Sequence, residues 1–124
     1  MDVLTKNGIE ERLPAPLGRR MWRALGDEAH LSDSVSCGFA RFTLDRGAMI
    51  PHRHEREIIL VLNAEGARAR AGFDKATMGE GIELHEGQIL RMAEDEWHVF
   101  DLDDESSFLE IYWFFSVPMN RLEE

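Results

Sequence analysis

Apolar residues in this chain come in short runs separated by turn-forming Gly, Asp and Ser, and no segment sustains the 3.6-residue period of an amphipathic helix. Residues 35–44 alternate in part and predict a strand. Residues 57–62, EIILVL, are a compact apolar run, too short for a helix and suited to a buried strand. Residues 67–73 alternate Ala with Arg68 and Arg70, as a half-exposed strand does. Further short strands are predicted at 20–25, 82–84, 88–92 and 98–102, with a last one at 108–117, FLEIYWFFSV. Asp45-Arg46-Gly47 and Asp103-Asp104-Glu105-Ser106 read as turns, and residues 26–34 as a polar connection. Residues 1–18 hold Pro14, Pro16, Gly8 and Gly18 with little periodicity and read as an arm on the edge of one domain spanning 19–124. Many short strands at this spacing predict an all-β sandwich or barrel.

Composition narrows the class. A chain of 124 residues is long enough for one real core, and 44% hydrophobic with 31% charged residues suits a globular protein. The net charge of -10 repels phosphate backbones and anionic membranes, so neither nucleic acid nor a membrane is an expected partner. Cys37 is the single cysteine, so no internal disulfide forms, and its apolar surroundings suit a small buried hydrophobe. The opening Met1-Asp2-Val3-Leu4-Thr5-Lys6 lacks the basic region and apolar core of a signal peptide, and the expected compartment is the cytoplasm.

The chemistry concentrates in two places. His52-Arg53-His54, with Glu57 shortly after, is answered about forty residues later by His98 in a Trp-His pair. Along a strand alternate residues share a face, so His52 and His54 point the same way while Arg53 points oppositely. Pro51 favours an extended backbone at this point. His98 on a neighbouring strand would supply a third imidazole. Glu57 opens an apolar strand, where a carboxylate is costly unless a metal or a hydrogen-bond network compensates it. Three imidazoles and a carboxylate suit one divalent transition metal (Fe, Mn, Ni, Zn or Cu) and not Ca or Mg. The competing reading is that the histidines are ordinary surface or core residues. His30 and His85 lie in polar, turn-like segments and read as solvated.

The two clusters together resemble the motifs of the cupin family. The first is Gly47-Ala-Met-Ile-Pro51-His52-Arg-His54-Glu-Arg-Glu57 followed by the run to Leu62. The second is Gly87-Gln-Ile-Leu-Arg-Met-Ala93-Glu-Asp95-Glu-Trp97-His98. The resemblance spans residues 35–117 and implies a double-stranded β-helix, or jelly-roll, barrel with the metal inside, bound by His52, His54, Glu57 and His98. Two departures from the family pattern carry structural expectations. The interval from His54 to Glu57 is short, so a bulge or tight bend must bring Glu57 to the metal. Ala93 and Asp95 stand where the family has Pro and Gly, which predicts a looser turn there.

The resemblance implies a wide range of activities: dioxygenase, isomerase, decarboxylase or lyase chemistry on a small oxygen-rich molecule that chelates the metal. Glu57, if not a ligand, is a candidate general base. Arg68 and Arg70 face either water or the barrel mouth, where a guanidinium would clamp a carboxylate or phosphate. Arg41 and Arg91 are weaker candidates for that role. Phe100 and Tyr112 are either core residues or part of the substrate lining. The alternative function is a non-catalytic module that senses or stores a small ligand or a metal. Uncovered sheet edges and the aromatic strand near the C-terminus predict a homodimer.

Overall fold

The strand Phe108–Phe115 alternates without interruption: Leu109, Ile111, Trp113 and Phe115 are buried, and the residues between them face the other side. Every second side chain of a strand shares a face, so this pattern commits one face to a core. In the computed structural model, which describes residue 1 and residues 3–24 and 35–115, this strand is the last of eight. In chain order they are β1 (Arg19–Arg23), β2 (Ser36–Phe42), β3 (Glu57–Glu65), β4 (Ala67–Gly72), β5 (Ile82–Glu83), β6 (Ile89–Met92), β7 (Trp97–Leu102) and β8 (Phe108–Phe115). Each corresponds to a strand expected from the sequence. The polar connection expected at 26–34, with His30, and the expected strand residues 25 and 116–117 lie outside the described residues.

The strands form two antiparallel sheets, ordered β1-β2-β8-β3-β6 and β5-β4-β7. The main core lies between them and includes Phe42, Ile59, Val61, Leu84, Leu109 and Trp113. This is the expected all-β, double-sheet architecture, and the sheets do not join into one closed barrel among the described residues. No described helix is long and apolar enough to cross a membrane.

The run 57–62 was expected to form a buried strand ending at Leu62. Instead β3 continues to Glu65 through a register shift between Val61 and Asn63, and Gly66, at φ +65°, turns the chain into β4. Glu57, Ile59 and Val61 are buried, whereas Ile58 and Leu62 are 40% and 37% exposed. The reason is that no described element covers the outer face of this part of the sheet.

Gly38 shows how sequence and packing meet. It pairs with Trp113 in the β2–β8 register. A Cβ at Gly38 would lie 2.3 Å from the Trp22 carbonyl oxygen and 2.9 Å from Trp113 Cζ2. Glycine therefore allows the indole to lie against the backbone of β2. A second cluster, on the other face of β1 and β2, joins Ile9, Trp22, Ala24 and Cys37, with Tyr112 and Phe114 packed against it. The segment before β1 is thus fastened to the sheet: Ile9 is buried, and the Arg12 N–H donates to the Met21 carbonyl at 2.9 Å.

Candidate metal centre

His52 and His98 meet through the backbone. The His52 N–H donates to the His98 carbonyl at 3.1 Å, and the His98 N–H donates back at 2.9 Å. Pro51 and His52 therefore run as an extra extended segment beside β7. His54 lies two residues on, on the same face, and Arg53 between them is exposed with its guanidinium 4.7 Å from the Trp97 ring centre. The chain then bends at Glu55 before β3 begins with Glu57. That bend resolves the short His54–Glu57 interval, because it turns the carboxylate back toward the imidazoles. The turn at 93–96 fastens the two motifs together: the Asp95 N–H donates to the His54 carbonyl at 2.9 Å. Asp95 sits at φ +63°, the left-handed conformation that glycine adopts freely and Asp tolerates. The turn is closed by Glu96, whose side chain accepts from the Ala93 N–H at 2.9 Å and whose N–H donates to the Ala93 carbonyl at 3.2 Å. It is a defined turn despite lacking Pro and Gly.

The three imidazoles converge. One nitrogen from each of His52, His54 and His98 lies within 4.8 Å of the other two. Ring centroids are 4.4 Å apart for His52–His98, 4.9 Å for His54–His98 and 5.1 Å for His52–His54. Each Nδ1 faces a backbone carbonyl: Ile50 at 3.3 Å, Glu55 at 3.0 Å and Glu96 at 3.1 Å, respectively for His52, His54 and His98. A carbonyl only accepts, so each Nδ1 carries a proton, and in that tautomer a ring presents the lone pair of Nε2. This arrangement orients imidazoles for a metal. Burial, with a smaller contribution from its two histidine neighbours and Arg19, holds the His52 pKa down at about 3, so that ring is neutral at physiological pH.

Glu57 completes the cluster. It is 7% exposed, and its Oε1 lies 3.4 Å from His98 Nε2 and 3.7 Å from His54 Nε2. That oxygen is buried without a hydrogen-bond partner in the protein. An orphaned carboxylate oxygen facing two imidazole nitrogens is the arrangement a bound cation would satisfy. The donor set of three nitrogens and one carboxylate fits a divalent transition metal.

A cavity of about 540 Å³ opens over this cluster. Its walls mix these polar groups and Arg12, Arg19 and Arg23 with apolar side chains, Met21, Phe42, Met49, Ile59, Phe100 and Trp113 among them. Phe100, expected either in the core or in the lining, is buried and lines it. Arg68, Arg70 and Tyr112 are not among the lining residues. Arg68 and Arg70 alternate on β4 with Ala67 and Ala69, which pack into the core, and Arg70 is paired with Asp101. Tyr112 stacks edge-on against Phe39 in the second cluster, and its phenol pKa is raised to about 12, first by burial and then by Cys37. Arg41 is paired with Glu110 at 2.6 Å, Arg91 is exposed, and His85 is exposed beside Glu83.

The cationic lining comes instead from Arg12, Arg19 and Arg23, which the sequence reading did not single out. The signal was present in β1, RRMWR. Arg19, Met21 and Arg23 share one face, and Arg20 and Trp22 the other.

No model of a known protein family matches the chain, and no curated protein sequence does. The fold is nevertheless shared with solved cupin-type structures. The polyketide cyclase RemF from Streptomyces resistomycificus superposes with a TM-score of 0.71 and 17% identity, over 99% of this chain and 82% of that one. A protein from Planctomyces limnophilus gives 0.69 and 20% identity, over 96% and 90%. Hydroxypropylphosphonic acid epoxidase from S. wedmorenis gives 0.66 and 14% identity over 92% of this chain, which matches only 58% of that enzyme. That epoxidase has also been solved in an Fe(II) form. At these identities the likeness establishes a cupin-type fold.

Proposed function

We propose that this chain is a small metal-dependent enzyme of cupin fold that acts on an oxygen-rich organic molecule. His52, His54, His98 and Glu57 would hold the metal. The observation that carries this reading is the buried, unpartnered Glu57 Oε1 facing two imidazoles whose Nδ1 atoms are already engaged by carbonyls, at the floor of a cavity. A divalent transition metal supplies Lewis acidity or redox chemistry to a chelating substrate. The protein's own residues do the rest. The backbone carbonyls fix the imidazole tautomers, and the cavity walls orient the substrate.

A specific observation supports the alternative, a non-catalytic binding module. Apart from the three histidines and Glu57, the described residues lining the cavity are apolar or arginine, so among the described residues no separate proton-transfer group stands beside the cluster. Oxygen uptake or isomer formation across keto acids, sugars and catechols separates the two: turnover of any supports the enzyme. The metal itself is tested by elemental analysis of protein purified without chelators, beside His54→Ala and Glu57→Ala. Stoichiometric metal that is lost in His54→Ala is the expected result, and metal fully retained in that variant overturns the site. Retention in Glu57→Ala alone would move Glu57 from the metal to the role of a neighbouring base.

A further inference from the structure

We propose that Trp97 is a positioning residue of the metal centre: its ring, with the cations of Arg53 and Lys75 against it, forms a clasp that holds the two ligand-bearing segments together from outside. This rests on the proposed metal site. The need for a clasp comes from how little backbone joins those segments. His52 and His98 pair as an isolated bridge, one residue from each segment, through bonds of 3.1 and 2.9 Å. A single pair fixes a distance but restrains rotation of the segment 51–54 weakly. Any such rotation carries His54, two residues further on, away from the other imidazoles. The Asp95 N–H bond to the His54 carbonyl adds one more anchor, again to the main chain.

Side chains supply the hold on the outward side. Alternation sends Arg53 away from the cluster while His52 and His54 face it, and does the same to Trp97 beside the buried His98. In an antiparallel pair the residue after His52 lies across from the residue before His98, so Arg53 and Trp97 are cross-strand neighbours. The Arg53 guanidinium is 4.7 Å from the Trp97 ring centre, within the range of a cation–π contact. Lys75 Nζ approaches the same ring to 5.2 Å. It comes from a third segment, the short helical turn Lys75–Thr77, which the Asp74 side chain fixes by accepting from the Ala76 N–H at 2.9 Å. Gly72 pairs with Trp97 and lets this segment pack closely: a Cβ there would lie 3.4 Å from Met78 Cα and 3.5 Å from the Thr77 carbonyl oxygen. One ring thus joins the His52–His54 segment, β7 and the turn after β4. None of Arg53, Lys75 and Trp97 is among the described residues lining the cavity, so they act from behind the ligands. Two cations behind a metal site repel the metal, so their charge does not favour binding. What they contribute is placement.

The test compares Trp97→Leu, Trp97→Phe, Arg53→Gln and Arg53→Lys with the parent, using Co(II) as the probe metal. Removing the ring should raise the Co(II) Kd roughly 5- to 20-fold, and removing the guanidinium about 2- to 5-fold, the value of one exposed cation–π contact. Trp97→Phe and Arg53→Lys keep a π face and a cation and should lie near the parent. The visible Co(II) spectrum, which reports ligand geometry, should change in Trp97→Leu and return in Trp97→Phe. By charge alone, removing Arg53 would tighten Co(II) binding, so a lower or unchanged Kd in Arg53→Gln would overturn the clasp. A second readout needs no metal. In chelator-treated protein the His52 and His98 amides should exchange hydrogen faster in Trp97→Leu and Arg53→Gln, about 2- to 5-fold in the latter. The increase should exceed that of the Ile111 amide in β8, which reports global opening. Unchanged exchange at both histidine amides would overturn the clasp whether or not metal binds. A parent that binds no Co(II) would sink the metal reading and leave the exchange comparison to judge the clasp. If Trp97→Leu fails to fold, as seen by circular dichroism, Arg53→Gln, a change to an exposed side chain, decides on the same readouts.

Discussion

Replacing Glu57 by Gln should move the stability of the metal-free protein and its metal affinity in opposite directions. The carboxylate is 7% exposed and its Oε1 has no partner, while the nearest groups, His98 Nε2 at 3.4 Å and His54 Nε2 at 3.7 Å, present lone pairs in the neutral tautomers. A buried polar group left unsatisfied costs about 1–3 kcal/mol, and more when it is charged. Glutamine keeps the shape, removes the charge and offers an amide N–H₂ that can donate to His98 Nε2, a bond worth roughly 1 kcal/mol. The metal-free variant should therefore gain about 2 kcal/mol. For a domain of 124 residues that is a rise in Tm of roughly 6–10 °C. With metal the order reverses, because an amide is a poorer ligand than a carboxylate, and Kd should rise more than about 10-fold. The assay is urea denaturation and thermal melting of chelator-treated protein, with Ni(II) or Zn(II) titration of both forms. A metal-free Glu57→Gln protein that is less stable than its parent would refute the reasoning. Unchanged metal affinity would refute it equally.

Other expectations follow from the same geometry. The His52 pKa is depressed from 6.5 to about 3, so the unfolded chain binds a proton that the folded one excludes. Its contribution to metal-free stability is complete above pH 6.5 and is lost as pH falls toward 3, at roughly 1.4 kcal/mol per pH unit at most. His52→Gln should show a shallower pH dependence in urea melts between neutral and mildly acid conditions, and parallel slopes would contradict this. Gly38→Ala forces a Cβ to within 2.3 Å of the Trp22 carbonyl oxygen and should cost at least about 2 kcal/mol, read by chemical denaturation; an unchanged midpoint would show that the strands separate freely there. We expect a homodimer, with the outer face bearing Ile58, Leu62 and Ile89 as a candidate contact; light scattering that gives a monomer at micromolar concentration would exclude it.

Strands were legible because their signal is local. FLEIYWFF and the Ala-Arg alternation of 67–72 state their period outright, and tertiary packing has only to follow. The three histidines were legible for the same reason, as a spacing of two on one strand and a partner on another. What escaped the sequence was the environment beyond each strand. EIILVL reads as a buried strand, yet whether a second layer covers a face is decided by other segments, and here Ile58 and Leu62 are exposed. The candidate arginines illustrate the same limit. Arg68 and Arg70 sit in a visible alternation, but the direction of that alternation is fixed by Ala67 and Ala69 entering the core. Arg19 and Arg23 share a face in RRMWR, but that this face meets the cavity, and that Arg12 joins it, depends on how the first segment folds back on β1, a long-range event. The bend at Glu55 likewise depends on the bond between Asp95 and His54, forty-one residues apart by their numbering.

The distribution of the cluster over the two layers has a consequence for the life of the chain. Glu57 begins a strand of the five-stranded sheet, and His98 belongs to the three-stranded one. An ion gripped by both would act as a rivet through the sandwich, so separating the sheets would require releasing it. At a free metal concentration a hundred times Kd, that adds about 2.7 kcal/mol to the folded state. The loaded protein would then outlast the empty one in the presence of proteases, and the amount of protein present would itself track metal supply, without any dedicated regulator.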